Sequence, residues 1–198
     1  MSRYYFHLKD VPVKHPLSEI GKIWFDTLPE ECHVNIPSGY FSDELKEWLD
    51  SVGLYIFDGE VFSMPANYQL QIHVDGEYFQ EKCKLNWAYS DGEQYNTWYK
   101  PKSNWDRKST AEQQDDGVLD DYSFVFEPEE VEEIDRCTLH NPTAVCSGHP
   151  HSVITTTHPR KSISVTVFKK GTVPQLKDWG IQYDELKEVL RDYVLQTS

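Results

Sequence analysis

A chain of 198 residues is long enough for one well-buried domain and gives no reason to divide it, so a single domain over 1–198 is expected. Aromatics are abundant (Trp 6, Tyr 12, Phe 9) and Pro and Gly are scattered, which suits a packed, turn-rich β domain rather than a disordered chain. The formal net charge of −14 opposes binding to nucleic acid, because the nearest basic run, Lys100-Pro101-Lys102 to Arg107-Lys108, is short and interrupted by Asp106.

No stretch approaches the roughly 18 apolar residues of a membrane span. The N-terminal Met1-Ser2-Arg3-Tyr4-Tyr5-Phe6-His7 lacks the apolar region of a secretory signal, so a cytoplasmic location is expected. Cys32, Cys83, Cys137 and Cys146 show no paired spacing and read as reduced core or edge residues.

In chain order, residues 1–37 look like short extended pieces broken by Pro12, Pro16, Pro29 and Pro37. A helix follows over about 42–52. Ser42 caps it, Leu45, Trp48, Leu49 and Val52 form its apolar stripe, and Gly53 ends it. From Leu54 the pattern changes to short strands, with Asp58-Gly59 read as a hairpin turn between Leu54–Phe57 and Val61-Phe62. Strands are expected at Tyr68–Val74, Lys82–Tyr89 and Tyr95–Tyr99, then a long polar loop over 101–121 that is either mobile or a lid. Further strands are expected at Tyr122–Phe126, Thr143–Cys146, His151–Thr156 and Ser162–Phe168, and a closing helix at about 183–195. Many short strands with helices at the two ends predict a mainly β fold, a sandwich or barrel.

Three segments carry chemistry. In His73-Val74-Asp75, residues i and i+2 of a strand point to one face and can present an imidazole and a carboxylate to one ion. His151 opens the extended run Ser152-Val153-Ile154-Thr155-Thr156, which favours it over His140, His149 and His158 as a third ligand. Two histidines and a carboxylate form the facial triad of non-haem Fe(II), with positions left open. Arg160-Lys161-Ser162-Ile163-Ser164 then places Arg160, Ser162 and Ser164 on one strand face. An inward arginine in a barrel is costly without an anion, and its planar fork suits a carboxylate. Trp87, Trp98, Tyr99 and Trp105 can line a substrate pocket, although aromatics beside strands more often serve the core.

The order H-x-D, Pro150-His151-Ser152-Val153, Arg160-x-Ser162-Ile163-Ser164 resembles the Fe(II)/2-oxoglutarate-dependent oxygenase superfamily. The surrounding Gln71–Gly76, Leu85-Asn86-Trp87 and Thr97-Trp98-Tyr99 look like small members from cyanobacterial phages and marine bacteria, which would place the protein in a host cytoplasm if it is phage-encoded. The resemblance implies a double-stranded β-helix (jelly-roll, cupin-like) core over about 54–168 with helical flanks. It implies Fe(II) ligation by His73, Asp75 and His151, and 2-oxoglutarate binding by Arg160 and Ser162, with Asn86 as a further polar contact. It also implies oxidative decarboxylation to succinate and carbon dioxide, coupled to hydroxylation of a small molecule or peptide side chain. Asp75 fills the position a halide would need, which disfavours halogenation. The stretch Val145-Cys146-Ser147-Gly148 departs from the more polar pair the family leads us to expect before the distal histidine. Two rival readings are a non-oxidative cupin-like metal binder or isomerase, and a structural jelly roll without metal. Oligomeric state is not legible.

Overall fold

A computed structural model describes residues 2–75, 81–102, 122–139, 142–174 and 180–195. Gly76, Trp105, His140 and most of the 101–121 loop therefore lie outside the described residues, and so does the basic run beyond Lys102.

The elements in order are β1 (Tyr5–His7), α1 (Glu19–Thr27), β2 (Cys32–Asn35), α2 (Asp43–Ser51), β3 (Leu54–Met64), β4 (Ile72–Asp75), β5 (Lys82–Tyr89) and β6 (Gln94–Pro101). There follow β7 (Tyr122–Phe126), β8 (Val131–Cys137), β9 (Thr143–Cys146), β10 (His151–Thr155), β11 (Arg160–Lys169), β12 (Ile181–Gln182) and α3 (Tyr183–Val189). The fold is mainly β, in two antiparallel sheets. The larger runs β1-β9-β5-β11-β3-β2 with β12 beside β5, and the smaller runs β7-β4-β10-β6-β8.

The period of two along each strand decides which face meets what. On β11, Ile163, Val165 and Val167 point to one side, where they join Val61, Leu85, Trp87 and the apolar stripe of α2 (Leu45, Trp48, Leu49) in the main core. Each such side chain taken out of water contributes roughly 1.5–3 kcal/mol. The alternate residues Arg160, Ser162 and Ser164 face a cavity, together with Lys84 and Asn86 of β5. The larger sheet thus has its apolar face under the helices and a polar face turned to the smaller sheet. Lys161 belongs to the helix side, where its Nζ donates to the carbonyls of Phe25 (2.9 Å) and Leu28 (3.1 Å) at the end of α1. A cation there complements the helix dipole.

Several sequence expectations need correcting. The N-terminal segment is not all extended. Ser18 caps α1 by accepting from Gly21 N–H, and the helix stops at Leu28, before Pro29. Asp58-Gly59 is not a hairpin turn, because β3 runs unbroken through it against β11. The glycine serves close packing instead, since a Cβ there would lie 2.5 Å from the Phe41 ring. The acidic β8 was missed. It is an edge strand whose residues are mostly exposed, so no apolar alternation marks it. The closing helix is shorter than expected, with α3 ending at Val189 and a 3-10 turn at Arg191–Tyr193. Among the described residues, no helix is long and apolar enough to cross a membrane.

Candidate metal centre

β4 and β10 are antiparallel neighbours in the smaller sheet, and their paired residues are His73 and His151. That register places two imidazoles side by side, with ring centroids 4.4 Å apart. Asp75 shares the face of His73 by the strand period, and its Oδ1 lies 3.4 Å from His73 Nε2. One ligand atom from each of His73, Asp75 and His151 falls within 4.8 Å of the others, a spacing that can hold a metal ion.

The rings are oriented from behind. Nδ1 of His73 lies 2.7 Å from the Gln71 carbonyl and Nδ1 of His151 lies 2.8 Å from the His149 carbonyl, so each Nδ1 donates and Nε2 is the ring nitrogen each would offer a metal. Burial, reinforced by the neighbouring His73, lowers the His151 pKa to about 4, leaving a neutral ring at pH 7. Burial alone would raise the Asp75 carboxyl, but the Lys84 ammonium outweighs it, helped by the histidines, and holds Asp75 well below the usual carboxylate range. A neutral His151 ring and an ionised Asp75 are the states that metal ligation requires. His149 lies elsewhere, edge-on to Tyr4 at 5.2 Å.

Arg160 opens β11 and is 2 % exposed. Its Nη1 donates to Asn96 Oδ1 at 2.9 Å, while Nε is buried with no hydrogen-bond partner. Among the described residues no carboxylate forms an ion pair with it, and burial lowers its pKa to about 10. Arg160, Ser162, Asn86, His73, Asp75 and His151 line one cavity between the sheets. Asn86 Oδ1 is buried there without a partner.

The sequence reading missed three residues. Asn96 on β6 holds the guanidinium, and its signal was a lone polar residue at a buried strand position. Lys84 and Glu60 form a buried ion pair at 2.9 Å, and Lys84 Nζ also reaches Asp75 Oδ2 at 3.1 Å. Glu60 Oε1 meets His33 Nε2 at 2.9 Å on its other side. An inward lysine on β5 carried the same signal as inward Arg160 but followed no motif. Of the aromatics, Trp87 belongs to the main core, Tyr99 to a small cluster behind the smaller sheet, and Trp98 is buried with Nε1 donating to the Cys146 carbonyl at 2.8 Å. The cysteines are unbridged. Cys83 and Cys146 face each other across β5 and β9 with their sulfurs 2.8 Å apart.

No family model matches the chain, and no curated protein matches it. Among solved structures, Peruvianin-I, a cysteine peptidase from Thevetia peruviana latex, is similar at 15 % identity and a TM-score of 0.33, covering 85 % of this chain and 95 % of that one. Likeness at that level carries no argument about fold or activity.

Proposed function

We propose that the protein is an Fe(II)- and 2-oxoglutarate-dependent dioxygenase that hydroxylates a small molecule or peptide side chain. The observation that carries this reading is Arg160, a fully buried guanidinium with an unpartnered Nε, opening into the same cavity as His73, Asp75 and His151. A buried cation without a counter-anion is costly, and a bound carboxylate offsets that cost.

Two further observations support the reading. Along the chain, β3, β4, β5 and β6 alternate between the sheets, and β8, β9, β10 and β11 do so again. Two such staggered sets are the plan of a double-stranded β-helix, in which ligands from distant strands converge at one mouth. The second observation is charge. Asp75 and Glu60 balance Lys84 and Arg160, so the four charged side chains of the site sum to zero. A divalent ion makes it doubly positive, which matches a dicarboxylate dianion.

In this reading His73, Asp75 and His151 hold Fe(II), which supplies the oxidising chemistry with dioxygen and 2-oxoglutarate when all are bound. Arg160 grips the distal carboxylate through its fork, Asn96 fixes the guanidinium plane, and Ser162 and Asn86 offer polar contacts along the cavity. Asp75 fills a coordination position, so hydroxylation is favoured over halogenation. The test is 2-oxoglutarate affinity of the Fe(II)-loaded protein without oxygen. Arg160→Lys keeps the charge but loses the fork, and should raise the dissociation constant at least about tenfold. Unchanged affinity in both Arg160→Lys and Arg160→Ala contradicts the assignment and leaves a non-oxidative cupin-like metal binder as the better reading.

A further inference from the structure

Lys84 is a buried ammonium beside a proposed metal ligand. It is the third residue of β5, 5 % exposed, with Glu60 on one side and Asp75 on the other. Replacing a buried ion pair by apolar residues is often neutral or stabilising, so packing alone does not call for the Lys84–Glu60 pair. Nor does Glu60 alone account for it, since Lys84 also spends a bond on Asp75. The two oxygens of Asp75 are divided, with Oδ1 beside His73 Nε2 at 3.4 Å and Oδ2 beside Lys84 Nζ at 3.1 Å.

We propose that Lys84 is a positioning residue that sets the charge of the metal centre. It occupies Oδ2 of Asp75, leaves Oδ1 alone for the metal, and weakens metal binding so that the loaded site holds a dianion. The inference rests on the reading of His73, Asp75 and His151 as metal ligands and of the cavity as a dicarboxylate site. An ammonium held against a ligand carboxylate repels a divalent cation and attracts an anion, and both effects are large where water is excluded. Glu60 moderates the ammonium from the far side, so removing Glu60 should act in the sense opposite to removing Lys84.

The experiment titrates the metal-free protein with Co(II), then the Co(II)-loaded protein with 2-oxoglutarate, for wild type, Lys84→Met, Glu60→Gln and the double variant. Lys84→Met should bind Co(II) at least about tenfold tighter and 2-oxoglutarate at least about tenfold weaker. Glu60→Gln should shift both constants the other way. The double variant loses one charge of each sign, and both constants should return close to wild type. A purely structural role predicts a different pattern, in which Lys84→Met weakens both ligands and the double variant is worse than either single change; that pattern overturns the proposal. Should Lys84→Met not fold, unchanged constants in Glu60→Gln overturn it equally. If wild type binds Co(II) but not 2-oxoglutarate, the dicarboxylate reading fails, while the Co(II) arm still decides what Lys84 does to the metal.

Discussion

Arg160 and Lys84 are both buried cations on inward positions of the larger sheet, yet they are neutralised differently. Lys84 lies between two carboxylates, whereas Arg160 has an amide oxygen and an unpartnered Nε. In the proposed reading, that contrast separates a group completed by the protein from one that a bound carboxylate would complete. The histidines divide in a similar way. His151→Ala should abolish stoichiometric binding of a divalent metal, measured by metal content after dialysis, while His149→Ala should leave most of it, since His149 packs on Tyr4. The reverse result would mean that the ligand comes from the approach to β10. The Glu60 carboxyl gives a pH test. Burial pushes it up, but Lys84 and the His33 hydrogen bond bring it from 4.5 down to about 2. Because the folded value is depressed, its stabilisation, roughly 3 kcal/mol by linkage, is present above pH 4.5 and is lost as pH falls toward 2. In denaturant titrations the margin of wild type over Glu60→Gln should hold steady above about pH 5 and narrow below it. A constant margin down to about pH 3 would contradict that ionisation.

At the level of elements, several strands were legible: β5, β7 and β9 have the bounds their sequences predict. Those that failed did so for physical reasons. β8 is an edge strand with a mostly exposed acidic face, so no apolar alternation marks it. β3 was cut in two because Asp58-Gly59 favours a turn locally, while pairing with β11 and contact with Phe41 keep it extended. α1 was hidden by prolines that lie outside its bounds. The α2 cap was legible, with Ser42 Oγ accepting from Leu45 N–H at 3.2 Å. Ser42→Ala should therefore cost about 0.5–2 kcal/mol of stability by chemical denaturation, and more where the lost bond from Ser42 Oγ to the His15 carbonyl adds to it. No loss would mean that the cap is replaced by water.

For the molecule as a whole, the arrangement follows from one sheet having two unlike faces. Its outer face buries the core under α1, α2 and α3, which frees its inner face to carry charge toward β4 and β10. The candidate ligands were legible because motif spacing and strand period agree, as at His73 and Asp75. Lys84, Glu60 and Asn96 were not, because their roles arise from pairing between strands far apart in sequence. An enzyme of the proposed kind should release succinate slowly from 2-oxoglutarate with Fe(II) and dioxygen, even without its true substrate. His73→Ala should stop that release, and Asp75→Ala should stop it unless solvent or an added anion such as chloride restores the site, when succinate is quantified directly with and without chloride. Equal succinate from the wild type and these variants would assign the turnover to free iron.

The most direct measurement of the central claim is an anaerobic titration of the metal-free protein with one equivalent of Fe(II) and then 2-oxoglutarate, followed by visible absorption. The account predicts a saturable charge-transfer band of the chelate in the wild type, absent in His151→Ala, and in Arg160→Ala reached only at much higher 2-oxoglutarate. Stoichiometric Fe(II) binding with no band at any 2-oxoglutarate concentration, or a band that survives loss of His151, would contradict it.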